Sequence, residues 1–200
     1  MNRTRIARGI STVLLIIPAL AAPSRADSWA APLPAIHASE RGRYAVKVIP
    51  EKVFNARAEA VSLDKDGNVI SHWKMPLACM PVSVYVADFA PIVVALDMFH
   101  QTGQEHTLVV YGRDGKVLAD YALEDLLTKE EIEKHTFRTI SSRWWRHDTT
   151  TEFHYAPYRD NPTEAAFIMR FKWGKVIRVD LLTGKLTQAG PEPAKPPTED

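Results

Sequence analysis

The sequence predicts an all-β fold of antiparallel meanders with one short helical insertion. Three observations predict it. The dominant hydrophobic period is two, the short glycine turns "DKDGN" (64–68), "GRDGK" (112–116), Gly174-Lys175 and "LLTGKL" (181–186) punctuate it, and "EDLLTKEEIEKH" alone carries strong helix signals. Alternation at period two is the signature of strands, and Asp-Gly between two alternating runs is the short-range signal of a hairpin.

The elements follow in order. Residues 27–36 (DSWAAPLPAI) are rich in Ala and Pro and read as an extended lead-in. The folded domain is expected over 37–188. "GRYAVKVIP" opens a first group of strands and "AVSLDKDGNVISHWKM" closes it. In "VSVYVADFAPIVVALDM", Val82, Val84 and Val86 share one face, and Ile92, Val94, Leu96 and Met98 share a face of the next strand. Val93 and Ala95 make the other face of that second strand apolar too, which marks a strand buried on both sides. "TLVVY" and "VLADYAL" continue the second group. "TEFHYAP", "EAAFIMRFKW", "VIRVDLL" and "KLTQ" form a third.

"DKDGN" also resembles the start of a calcium loop, which needs oxygen ligands at positions 1, 3 and 5, Gly at 6 and Glu at 12. Counting from Asp64, position 6 is Val69 and position 12 is Met75, and strands replace the flanking helices. The turn reading is preferred. In the helical insertion, Thr128 with Glu131 three residues on makes a capping box, Glu130 and Glu131 fall in the first turn, and Lys134 and His135 in the last. A helix is expected over about 129–134, preceded by a turn at 124–127.

Gly67 and Gly115 are 48 residues apart, a spacing within the range of propeller-blade repeats. "SERGRYAVKV" is similar to the Ser-x-Asp-Gly-Arg-Tyr start of such repeats, with Arg41 where Asp is usual. "VVYGRDGKVLADYALEDLLTKEEI" followed by "ISSRWW" resembles a segment of uncharacterised exported bacterial proteins with β-propeller-like (WD-type) repeats. The likeness covers about residues 37–145 and implies a fold and export, but no activity. Three propeller-blade-like meanders fall short of the usual four. The expectation is an open or incomplete stack, or a ring completed by a second copy.

The N-terminus predicts export. Arg3, Arg5 and Arg8 precede the apolar run 10–22, and Ser24-Arg25-Ala26 ends it with small residues. The run is shorter than the ~20 residues that span a bilayer. Residues 1–26 read as a cleaved secretory signal, with Ala22 the alternative site; the destination is periplasmic or secreted, without stable membrane insertion. Removing them leaves 174 residues and takes away four arginines and no acid, so the formal charge moves from +1 to −3. That gives no electrostatic case for nucleic acid. Residues 189–200 are Pro-rich, lack any large apolar residue and are expected to be disordered. The only cysteine, Cys79, cannot form an internal disulfide and reads as a small core residue.

Two stretches carry candidate chemistry. "LDMFHQTGQEH" brings Asp97, His100 and His106 near one another in sequence, residue types that ligate zinc, although a polar loop between strands has the same composition. "SSRWWRHDTTTEFHYAPYRD" supplies Arg143, Trp144, Trp145, Arg146, His147 and Tyr155, and Trp and Arg dominate recognition surfaces. The competing reading is core packing with an arginine stacked on a ring. Adjacent strand residues face opposite ways, so one of Trp144 and Trp145 is expected inside and the other outside. No Gly-x-Ser-x-Gly elbow, phosphate loop, dinucleotide fingerprint or Cys cluster occurs, and no cofactor is expected. The sequence reading is an exported binding module with a protein or glycan partner, or a second copy of itself. A periplasmic metal-dependent or serine hydrolase using the loops at 97–106 and 141–160, and a structural component of envelope assembly, are the alternatives.

Overall fold

A computed structural model describes residues 30–189 other than 53, 158 and 159. The segment read as a secretory signal and residues 190–200 of the Pro-rich tail lie outside the described residues, as do Tyr158 and Arg159, whereas Ala189, read as the first residue of that tail, ends the last strand and pairs with Val176. The first sheet holds β1 (Ala35–Ala38), β2 (Tyr44–Pro50), β3 (Ala56–Leu63) and β4 (Val69–Pro76) in that order. The second holds β5 (Pro81–Val86), β6 (Val93–Met98), β7 (Leu108–Tyr111) and β8 (Val117–Tyr121). Helices α1 (Leu123–Leu126) and α2 (Lys129–His135) follow, and then a two-stranded ribbon of β9 (Phe137–Arg138) and β10 (Arg143–Trp144). The third four-stranded sheet is β11 (Thr149–Ala156), β12 (Glu164–Phe171), β13 (Val176–Asp180) and β14 (Leu186–Ala189). Among the described residues every pairing between these strands is antiparallel, and none of the four sheets closes on itself. All these elements belong to one compact unit that begins at Ala31.

The first strand begins inside the segment read as an extended lead-in. Ala35 and Ile36 already pair with Val48 and Lys47. The prolines before them hide the alternation, because only His37 and Ala38 follow before the turn at 39–43. The single insertion holds two helices rather than a helix and a turn. Its cap forms as the sequence reads: Thr128 Oγ1 accepts from Glu131 N–H at 3.3 Å, and Glu131 Oε2 accepts from Thr128 N–H at 2.8 Å. Two orphan amide donors are thereby satisfied.

The second sheet is the middle of the core. Val94, Leu96, Leu108 and Val110 join Phe167, Met169, Ile177 and Val179 of the third sheet in one buried cluster, which Leu123, Leu126, Leu127, Ile132 and Trp145 complete. Val93, Ala95, Val109 and Tyr111, on the opposite face, are buried as well. On that side Tyr111 Oη accepts from Ala78 N–H at 2.7 Å, and Gly115 lies against Lys74 and Met75. This accounts for the apolar residues on both faces of β6; each fully buried Val or Leu contributes about 1.5–3 kcal/mol. The outer face of the third sheet keeps a smaller buried strip of Ala166, Ile168 and Val176. It is flanked by the ion pairs Arg170–Glu152 (2.9 Å) and Arg178–Glu164 (3.6 Å).

Both Asp-Gly segments are turns. Gly67 and Gly115 take φ of +84° and +76°, a region open to Gly. Asp64 Oδ1 accepts from the N–H groups of Asp66 and Asn68, and its Oδ2 accepts from Asn68 Nδ2. The carboxylate that looked like a first calcium ligand thus closes its own turn.

Candidate functional site: an aromatic ribbon held by a buried aspartate

The two chemistry-bearing stretches of the sequence meet in space, but as a scaffold. From the end of β6 the chain coils tightly, with Asp97, His100, Gly103 and His106 at φ of +61°, +68°, +66° and +52°. Positive φ at three non-glycine residues persists only where the surroundings over-determine it. Asp97 supplies that constraint. Its carboxylate is buried, with Oδ1 accepting from Gly103 N–H (3.0 Å) and Trp145 Nε1–H (2.7 Å) and Oδ2 from Arg146 Nε–H (2.5 Å). Arg146 Nη2 continues to Ser83 Oγ at 2.9 Å, so one carboxylate ties the loop, the residues after β10 and strand β5 together.

Further hydrogen bonds run along the same seam. Arg143 N–H donates to Thr102 O (2.7 Å), Ser142 Oγ to His100 O (3.2 Å) and Gln104 Nε2 to Ser141 O (2.6 Å). A side chain at Gly103 would stand 2.4 Å from Arg143 O, so only glycine lets the loop come this close to β10.

The structure does not bring Asp97, His100 and His106 to one point. His106 Nδ1 lies 2.7 Å from Asp120 Oδ2, and the His100 ring packs edge-on to Phe99 and Phe54. Among the described residues no group of three His, Cys, Asp or Glu is placed to hold a metal ion. Cys79 is buried, and burial, reinforced by Asp120 and Asp97, pushes its thiol up to about 12, which leaves it unreactive at neutral pH.

The sequence-predicted recognition residues divide. Trp145 is 1% exposed and packs against Phe171, whereas its neighbour Trp144 is 50% exposed. Arg146 serves Asp97, and Tyr155 sits on β11, where its Oη accepts from Asp88 N–H at 3.1 Å and its ring meets Phe89 and Phe153. His147 is exposed just beyond the ribbon. Only Arg143, Trp144 and His147 therefore stay available at the surface.

They gain neighbours that the sequence reading missed. Trp144 pairs across the ribbon with Phe137, which is 67% exposed, and Ile140 in the connecting turn is 92% exposed. Arg143 pairs with Arg138. Cross-strand partners share a face, so the ribbon carries two aromatics on one side and two arginines on the other. The signal for it was present: "FRTISSRW" reads aromatic-Arg, four turn residues, Arg-aromatic, a mirror pattern around a hairpin loop. The arginine side opens onto two cavities of about 350 and 630 Å³, both bordered by Glu124, Arg138 and Arg143.

Helix α2 backs the second cavity and is fastened to the third sheet. Lys175 Nζ donates to both oxygens of Glu131 at 2.9 Å, and His135 stacks on Trp173 with centroids 4.2 Å apart. Burial works against the Glu131 charge, but Lys175 and Thr128 N–H outweigh it and hold the carboxyl below its ordinary value. No protein-family model, curated protein or solved structure matches the chain.

Proposed function

We propose that the protein is an exported, non-catalytic binding module of propeller-like sheets, and that it engages a protein or glycan partner through the β9–β10 ribbon. One observation carries the reading: Phe137 and Trp144 oppose each other on one face of the ribbon, both at least half exposed, with Ile140 beside them at the turn. An isolated two-stranded ribbon gains little stability from side chains left in water. Rigid aromatics supported from behind, here by the Asp97 hub, are what recognition surfaces use. Export rests on the N-terminal charge and apolar pattern, and the propeller-like description on three successive four-stranded meanders. The hydrolase alternative draws no support from the 97–106 loop, since Asp97 is hydrogen-bonded on both oxygens within the fold.

The test places a photo-crosslinking amino acid at Phe137 and irradiates the purified protein in envelope extract or with defined glycans. A discrete adduct that Trp144→Ala abolishes, at unchanged melting temperature, supports the reading. No adduct under either condition overturns it.

A further inference from the structure

The arginine face of the same ribbon poses a separate question. Arg138 and Arg143 are direct cross-strand partners. Thr139 N–H donates to Ser142 O, and Arg143 N–H turns away to Thr102 O, so 138/143 is a narrow, non-hydrogen-bonded pair. Cα atoms at such pairs are about 4.5 Å apart, and like charges directly opposite destabilise a sheet. Among the described residues no hydrogen bond or ion pair reaches either guanidinium. Elsewhere the fold neutralises its arginines: Arg146 on Asp97, Arg170 on Glu152, Arg41 and Arg43 on Asp160. Of the seven other arginines among the described residues six pair with a carboxylate, and Arg113 lies over the Phe89 ring; a like-charge pair left uncompensated points to a partner.

The rim narrows the partner's chemistry. Glu105 and Glu124 line the smaller cavity, and Glu124, Lys129 and Glu133 the larger. The two arginines thus share each rim with two carboxylates, and the larger rim adds one lysine. A polyanion would meet those three glutamates, whereas a single carboxylate flanked by basic groups matches both the arginine pair and the glutamates, which outnumber the one lysine.

Resting on the ribbon as the binding element, we infer that the cleft between α1–α2 and the ribbon receives a partner-protein segment presenting one carboxylate, flanked by basic residues, to Arg138 and Arg143. The carboxylate relieves the repulsion of the arginine pair, and its basic neighbours pair with the glutamates. Charge complementarity of this kind sets specificity and suppresses wrong partners.

Fluorescence anisotropy of three labelled heptapeptides on the purified full-length protein tests this at low salt. The probes are Ala-Lys-Ala-Glu-Ala-Lys-Ala, its Gln counterpart, and the charge-reversed Ala-Glu-Ala-Lys-Ala-Glu-Ala. The first should bind about tenfold or more tightly than either other, the range of a charge-assisted contact. Arg138→Gln with Arg143→Gln should erase the preference, and the exposed single change Arg138→Gln should weaken it while holding or raising the melting temperature. Equal binding of the three peptides, a preference that survives neutralisation, or displacement of the peptide by phosphatidylglycerol vesicles or polyglutamate overturns the inference. The crosslink at Phe137 reads the opposite face. If it persists while the peptides show no preference, the binding module stands and this inference falls.

Discussion

Replacing Asp97 by Asn tests whether one carboxylate holds the candidate site in place. Asn keeps the shape and tolerates the left-handed backbone that Asp97 adopts at φ +61°. One oxygen can still accept from Gly103 N–H and Trp145 Nε1–H. The other position becomes an NH₂ that faces the Arg146 Nε–H donor. A charge-assisted hydrogen bond is lost and two donors are set against each other, a change of about 2–4 kcal/mol. Asp97→Ala would also orphan the Gly103 and Trp145 donors and cost about 4–6 kcal/mol, close to the whole stability of a domain of roughly 5–15 kcal/mol. Asn is therefore the informative change. Urea unfolding followed by tryptophan fluorescence and far-UV circular dichroism gives the cost, and a double-mutant cycle with Arg146→Gln isolates the pair. The cycle should return a coupling of about 1.5–3 kcal/mol. A cost below about 0.5 kcal/mol for Asp97→Asn, or a coupling near zero, refutes the reasoning.

Three further outcomes follow from the geometry. Gly184→Ala should destabilise more than Gly115→Ala: both take positive φ, but a Cβ at Gly184 would stand 2.7 Å from Leu118 O, against 3.5 Å from Lys74 O for Gly115. Urea midpoints that rank the other way would contradict the turn packing. Trp145→Ala should cost about 3–5 kcal/mol, whereas Trp144→Ala should change stability by less than about 1 kcal/mol and remove the more quenchable fluorescence; equal losses in melts of the two variants would count against the ribbon's exposure. The depressed Glu131 carboxyl contributes stability that is complete above its ordinary value of 4.5 and lost as pH falls through its lower folded value. Glu131→Gln should therefore flatten the acid limb of melting temperature against pH, and an unchanged limb would show that Lys175 does not stabilise the charge.

Much of the sheet architecture was readable from local chemistry. The turns at Gly67 and Gly115, the capping box at Thr128 and the doubly apolar β6 are fixed by residues close in sequence, and the structure reproduces them. The inside–outside split of the two tryptophans followed from strand alternation alone. The scaffold role of Asp97 was not readable, because its partners Trp145 and Arg146 lie 48 and 49 residues away and no local pattern encodes them. The same residue types that ligate zinc also satisfy buried donors. β1 escaped because flanking prolines interrupt its alternation. Phe137 and Arg138 escaped because two-residue strands carry no period, and only the mirror order of "FRTISSRW" announced them.

Strand order has a consequence for how the molecule assembles. In all three four-stranded sheets each strand pairs only with its chain neighbours, so every pairing closes a short loop. Hairpins of this kind form in about 1–10 μs, and short loops keep the entropic barrier low. β6 has no face that water can wet, so the middle sheet cannot persist alone once formed. It must be covered on one side by the first sheet, already synthesised, and on the other by a third sheet that lies beyond the helices and the ribbon. The cooperative step is therefore lamination rather than strand pairing. Amides of β6 and β7 should exchange with deuterium last, at rates set by global unfolding, while those of the ribbon exchange through local opening.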